Sequence, residues 1–77
     1  MIIGDLVKSI IEPLVTYPEL VNVTEICEDS VVTVEIRVAP DDMGRVIGKG
    51  GRVINSIRTV AKALATKKKV KVFVEVV

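Results

Sequence analysis

The chain has 77 residues, 49% of them apolar, and a net charge of +1, which bounds it to a single domain over residues 1–77 and excludes a disordered composition. It has no histidine, one cysteine and scattered carboxylates; this removes the commonest general base and the commonest metal ligand, so neither catalysis nor a metal or cofactor is expected. The charge is unevenly placed, with nine acids and two bases in residues 1–42 but nine bases and one acid in residues 43–77, which points to an anionic partner for the second half.

Ile3, Leu6, Val7, Ile10, Ile11, Leu14 and Val15 repeat at helical spacing and predict an amphipathic first helix. It starts either after an Asp5 cap or nearer Ile2. Pro13 strains its last turn, and Pro18 stops any continuation. Residues 21–29 read as a first strand in which Ile26 and Cys27 fall on opposite faces, so a bulge is possible. Cys27 has no internal disulfide partner and is expected to be a structural residue, replaceable at modest cost. Residues 28–30 make the turn. The second strand alternates cleanly, with Val32, Val34, Ile36 and Val38 on one face.

Pro40, Asp41 and Asp42 favour a helix N-terminus, and about two turns fit before Gly48. A longer helix begins near Gly51, with Val53, Ile54, Ile57, Val60, Ala61 and Leu64 as its buried stripe. Residues 70–76 close the chain as a strand with Val70, Val72, Val74 and Val76 inward. The order α-β-β-α-α-β predicts an α+β fold, with three helices on one face of a mixed three-stranded sheet. The first two strands form a hairpin, and the last two pair in parallel across a helical crossover. No stretch approaches the ~18 apolar residues of a membrane span and no signal peptide is legible, so a cytoplasmic location without membrane contact is expected.

The stretch "VIGKGGRVI", residues 46–54, needs separate explanation. A left-handed helix cap accounts for one glycine, or two in a tight helix–helix turn. A P-loop fails on spacing, because Met43 stands where its first glycine belongs and Gly50 replaces the hydroxyl residue. The dinucleotide fingerprint meets Val53 at its last glycine. A four-residue turn at Gly48-Lys49-Gly50-Gly51 fits all parts. It lets a sugar-phosphate backbone approach the main chain, at a helix N-terminus flanked by Arg45, Lys49 and Arg52. Val46, Val53, Ile57 and Leu64 are expected in the core. Lys67, Lys68 and Lys69 read as a solvated turn. Tyr17 and Phe73 are too far apart in sequence to suggest a stacking platform.

Ile47, Gly48, Gly51 and Ile54 match the I-G-x-x-G-x-x-I core of the K-homology (KH) domain, which the chain resembles over nearly its whole length. The element order resembles the type II, prokaryotic form, and a free-standing domain of this size is most similar to the small bacterial KhpA family. The resemblance implies a non-enzymatic protein that holds about four nucleotides of single-stranded RNA. Gly48, Lys49, Gly50 and Gly51 would meet the nucleic-acid backbone, with Arg45 and Arg52 beside them. Ile47 and Ile54 would line or support an apolar groove whose other wall comes from the second strand. Single-stranded DNA is left open, since no residue is assigned to a 2′-hydroxyl. The resemblance also implies an alternative: a dimerisation module, as a homodimer or paired with a larger KH-containing protein. Ser56, Thr59 and Ala63 on the outer face of the third helix would permit close approach.

Overall fold

A computed structural model describes residues 2–77. Helix α1 (Ile2–Ile11) buries Ile3, Val7 and Ile11, one line at helical spacing. The helix opens at Ile2, so Asp5 lies inside its first turn instead of capping it. The capping role falls to a distant side chain: the Gly4 N–H donates to Glu25 Oε1 at 3.1 Å, satisfying one of the free amides of the first turn. Pro13 falls in a 3-10 turn, Glu12–Leu14, that ends the helix. A second such turn, Pro18–Leu20, leads into the sheet.

Strand β1 (Asn22–Glu28) pairs antiparallel with β2 (Val31–Arg37), in unbroken register from Asn22↔Arg37 to Glu28↔Val31. No bulge interrupts it. The alternation is hidden in the sequence because Glu25, not an apolar residue, shares the helix-covered face with Val23 and is used there by α1. Cys27 is exposed. It stands at the hairpin end of an edge strand, where packing runs out. Strand β3 (Lys71–Val76) pairs in parallel with β2, and the order is β1-β2-β3. Val32, Val34 and Ile36 of the central strand are buried, with Val74 beside them.

Helix α2 (Met43–Ile47) follows a 3-10 turn at Pro40–Asp42 and contributes Val46 to the core. Helix α3 (Arg52–Lys67) buries Ile54, Ile57, Ala61 and Ala65. The expected stripe is therefore shifted: Val60 is 44% exposed, while Ala65 is buried. Steps of three, four and four residues keep 54, 57, 61 and 65 on one line, and Val60 falls beside it. The helix stops with Val70 N–H bonding Ala65 O and Lys69 N–H bonding Thr66 O. Lys69 stands at φ 61°, in the left-handed position glycine usually takes. No helix of the described residues is long and apolar enough to cross a membrane.

Asp42 departs most from its sequence reading. Its carboxylate does not cap α2. It is fully buried and accepts the N–H of Thr16 at 2.8 Å and of Tyr17 at 3.0 Å. Arg45 Nη1 lies 3.5 Å from it. Burial opposes ionisation, but the amides of Thr16 and Tyr17, the Thr16 side chain and the Arg45 charge outweigh it. The carboxyl is held below the ordinary aspartate range. A lowered folded-state pKa means stability that is present above the unfolded value and is lost as pH falls through the folded one. Asp42→Asn should therefore destabilise the protein at neutral pH and flatten the acid side of its stability–pH curve. An amide offers one acceptor and turns its NH₂ toward the second backbone donor. Urea unfolding of parent and variant across the acid range reads both effects.

Candidate nucleic-acid interface

The residues singled out in the motif lie on α2, the glycine turn and the first turn of α3. Gly48 ends α2 at φ 77°, ψ 169°, a region occupied almost only by glycine. A Cβ there would stand 2.5 Å from Val53 Cγ2 and 2.8 Å from Val53 N. The start of α3 is thus packed directly against the Gly48 backbone, which explains an obligatory glycine at this position. Gly50 and Gly51 also have positive φ, at 64° and 78°. A Cβ on Gly50 would meet nothing within 4 Å, so that position is open to solvent or ligand. The turn is closed by Gly48 N–H on Gly44 O at 2.8 Å and Gly51 N–H on Gly48 O at 3.1 Å. Gly51 precedes α3 with no side-chain cap; the Arg52 N–H bonds Lys49 O within the turn, and the positive dipole end of this 16-residue helix lies at the turn. Lys49 is exposed within the turn.

The flanking residues differ in burial and in pairing. Ile47 is 37% exposed beside the turn. Ile54 is buried in the core with Val46 and Ile57, so it supports the turn from beneath and lines no groove. Arg45 is tied back to the acids that precede α2, with Nη1 donating to Asp41 O at 3.3 Å as well as to Asp42. Arg52 borders a mostly apolar hollow of about 300 Å³ between α1 and α3, with Ile10, Val53 and Val60. Lys49 is therefore the basic side chain carried by the turn itself.

A larger cleft, about 640 Å³, runs between α3 and the free edge of β3. Its helix wall includes Arg58 and Lys62, and its strand wall includes Val72 and Val74. Arg58 Nε donates to Val74 O at 3.2 Å and its Nη1 to Asn55 Oδ1 at 3.1 Å. Asn55 Nδ2 in turn lies against Gly51, 3.5 Å from where a Cβ would be. Gly51, Asn55, Arg58 and Lys62 follow one another at four-, three- and four-residue steps, so one helix face leads from the glycine turn into the cleft. This wall belongs to β3. The second strand cannot supply it, because β2 is central and its valines lie under the helices. The sequence reading did not single out Arg58 or Lys62 as site residues. The helical spacing away from Gly51 was the available signal, and the strand opposite them was not.

The family described as KhpA/KhpB, KH domain, matches residues 4–76. The chain belongs to the KhpA/KhpB KH-domain family. It is similar to the RNA-binding protein KhpA of Caldanaerobacter subterraneus subsp. tengcongensis, 49% identical over 96% of this chain and 99% of that one. The KhpA of Clostridium perfringens is 47% identical over 95% of this chain and 97% of its own. That of Listeria monocytogenes serovar 1/2a is 41% identical over 95% and 96%. The α-β-β-α-α-β order, with helices on one face of a mixed three-stranded sheet, is the KH fold that the motif implied.

Within this KH domain the three turn glycines are not equivalent. Gly48→Ala should destabilise by more than about 2 kcal/mol, since a Cβ meets backbone and the φ/ψ pair is closed to alanine. Gly50→Ala should cost about 1 kcal/mol, the left-handed penalty alone. Urea midpoints at matched slope distinguish the two.

Proposed function

We propose that this chain is a non-enzymatic RNA-binding module of the cytoplasm. It holds about four nucleotides of single-stranded RNA, with the backbone against the Gly48-Lys49-Gly50-Gly51 turn and the bases directed along the α3–β3 cleft. The observation that carries this reading is the turn itself. It combines positive-φ glycines, an open position at Gly50, one exposed lysine and a helix N-terminus with no side-chain cap. Those are the features a phosphodiester needs for close approach and charge neutralisation. The names of the relatives, RNA-binding protein KhpA, favour the same ligand. Single-stranded DNA shares the phosphate chemistry and differs only at the 2′-hydroxyl.

Lys49→Asp tests the reading. Lys49 is not among the positive-φ residues, so the change reverses charge without backbone strain. Gly50, at φ 64°, is the less clean position for an aspartate. Affinity for a short single-stranded RNA, followed by fluorescence anisotropy, should fall at least about tenfold. For the parent, about three neutralised phosphates give a slope of log affinity against log salt near −2, at roughly 0.7 per contact. A folded Lys49→Asp protein that binds as the parent does removes the turn as the clamp.

A second reading is self-association, or pairing with a larger KH-containing protein, through the outer face of α3. The exposed Val60 and the apolar hollow it shares with Ile10 and Val53 favour it. Ser56, Thr59 and Ala63 on the same helix are exposed. Sedimentation equilibrium at micromolar concentration should then show a dimer that Val60→Glu converts to monomer. A monomeric parent would leave this face without a self-association role.

A further inference from the structure

We infer that Arg58 is the specificity-determining residue of the cleft, and that it selects a base with two adjacent hydrogen-bond acceptors. Guanine offers O6 and N7, and cytosine offers N3 and O2. Adenine and uracil offer no such pair, because a donor or a C–H separates their acceptors. The inference deepens the reading that bases enter the α3–β3 cleft, and rests on it.

Lys71 N–H bonds Ser30 O and Val77 N–H bonds Ile36 O. The alternation of a strand then turns the main-chain groups of Val72, Val74 and Val76 toward the free edge of β3. Arg58 reaches that edge and takes Val74 O with Nε at 3.2 Å, while Nη1 is fixed by Asn55 Oδ1 at 3.1 Å. A guanidinium has five N–H donors and no acceptor. Two donors are engaged and three remain. The plane is held from the strand on one side and the helix on the other, so the remaining donors point in fixed directions. A fixed pair of parallel donors matches a pair of adjacent acceptors and leaves a donor-bearing base edge unpaired.

The rest of the lining is mixed: Ala65, Val70 and Val72 supply apolar surface that suits a base, Glu75 adds a carboxylate, and Lys62 and Lys71 add positive charge. Arg58 is also the one arginine of the basic half whose donors engage this strand edge. Arg45 is paired with Asp42, and Arg52 borders the opposite side of α3. If Arg58 served only to cover the strand edge, the Nε bond would suffice and the outer donors would confer no base preference.

The test uses the full chain and a set of six-nucleotide oligoadenylates in which one central base is A, G, C or U. Anisotropy titrations should show the G or C oligomer bound about tenfold more tightly than the A and U oligomers, the discrimination of one good bidentate pair. Replacing the central G by 7-deazaguanine should abolish its preference, whereas inosine, which keeps O6 and N7, should retain it. A preference confined to C would assign the N3 and O2 pair instead. Arg58→Lys keeps the charge and loses the fork. It should bring all four oligomers to within about twofold of one another with the salt slope unchanged. The analogue arms need no variant, so they hold even where Arg58→Lys folds poorly. Equal parent affinity for all four bases, or an Arg58→Lys protein with its preference intact, overturns the inference. If that equal binding is still lost in Lys49→Asp, the clamp reading stands and only the role of Arg58 falls. If the parent binds none of the oligomers, both fall.

Discussion

The buried carboxylate of Asp42 is the interaction on which the arrangement of the helices depends. It takes two backbone N–H groups from the segment that leaves α1, and it sits at the residue where α2 begins. One side chain thus joins the exit of the first helix to the entry of the helix–turn–helix. A neutral side chain could not accept from both amides and from Arg45 at once. The low dielectric around a buried carboxylate strengthens each of these bonds, and would penalise the group equally if any were missing. The same residue pairs with Arg45, whose side chain stays 55% exposed.

From this anchor the turn is built by exclusion. Val53 packs against the Gly48 backbone at distances that leave no room for a Cβ, and the chain crosses from α2 to α3 through left-handed residues. The outcome is a main-chain surface with a single side chain, Lys49, standing on it. The line from Gly51 through Asn55 to Arg58 leads into the cleft, with Asn55 Oδ1 fixing Arg58 Nη1.

The segregation of charge along the chain has a structural counterpart. Two acids of the first half, Glu25 and Asp42, are spent on holding helix ends and loops by their amides. The bases of the second half stay largely exposed on the turn, on α3 and along β3. The formal balance near neutrality therefore hides a chain in which key acids are internal acceptors and the bases face outward. Net charge is a poor guide to the surface for that reason, whereas its distribution is a good one.

The periodicities were decisive for the fold. Val32, Val34 and Ile36 alternate, Ile3, Val7 and Ile11 recur at helical spacing, and each pattern has one way to bury its apolar side. The glycine turn was equally legible, because Gly48-Lys49-Gly50-Gly51 has a composition that helices and strands both disfavour. Other features were decided only by contacts between residues far apart in sequence. Glu25 looks like a break in a strand until α1 is laid over it. Asp42 looks like a helix cap until Thr16 and Tyr17 are beside it. Val60 belongs to the apolar set by type, yet the line that α3 buries runs through Ala61 and Ala65 and leaves Val60 exposed. Arg58 is held locally by Asn55, but it meets the strand edge only through the Val74 carbonyl, sixteen residues away. Local sequence determines elements because backbone preferences and period are local. It does not determine which polar side chain satisfies which buried donor, because that pairing exists only once the elements have packed.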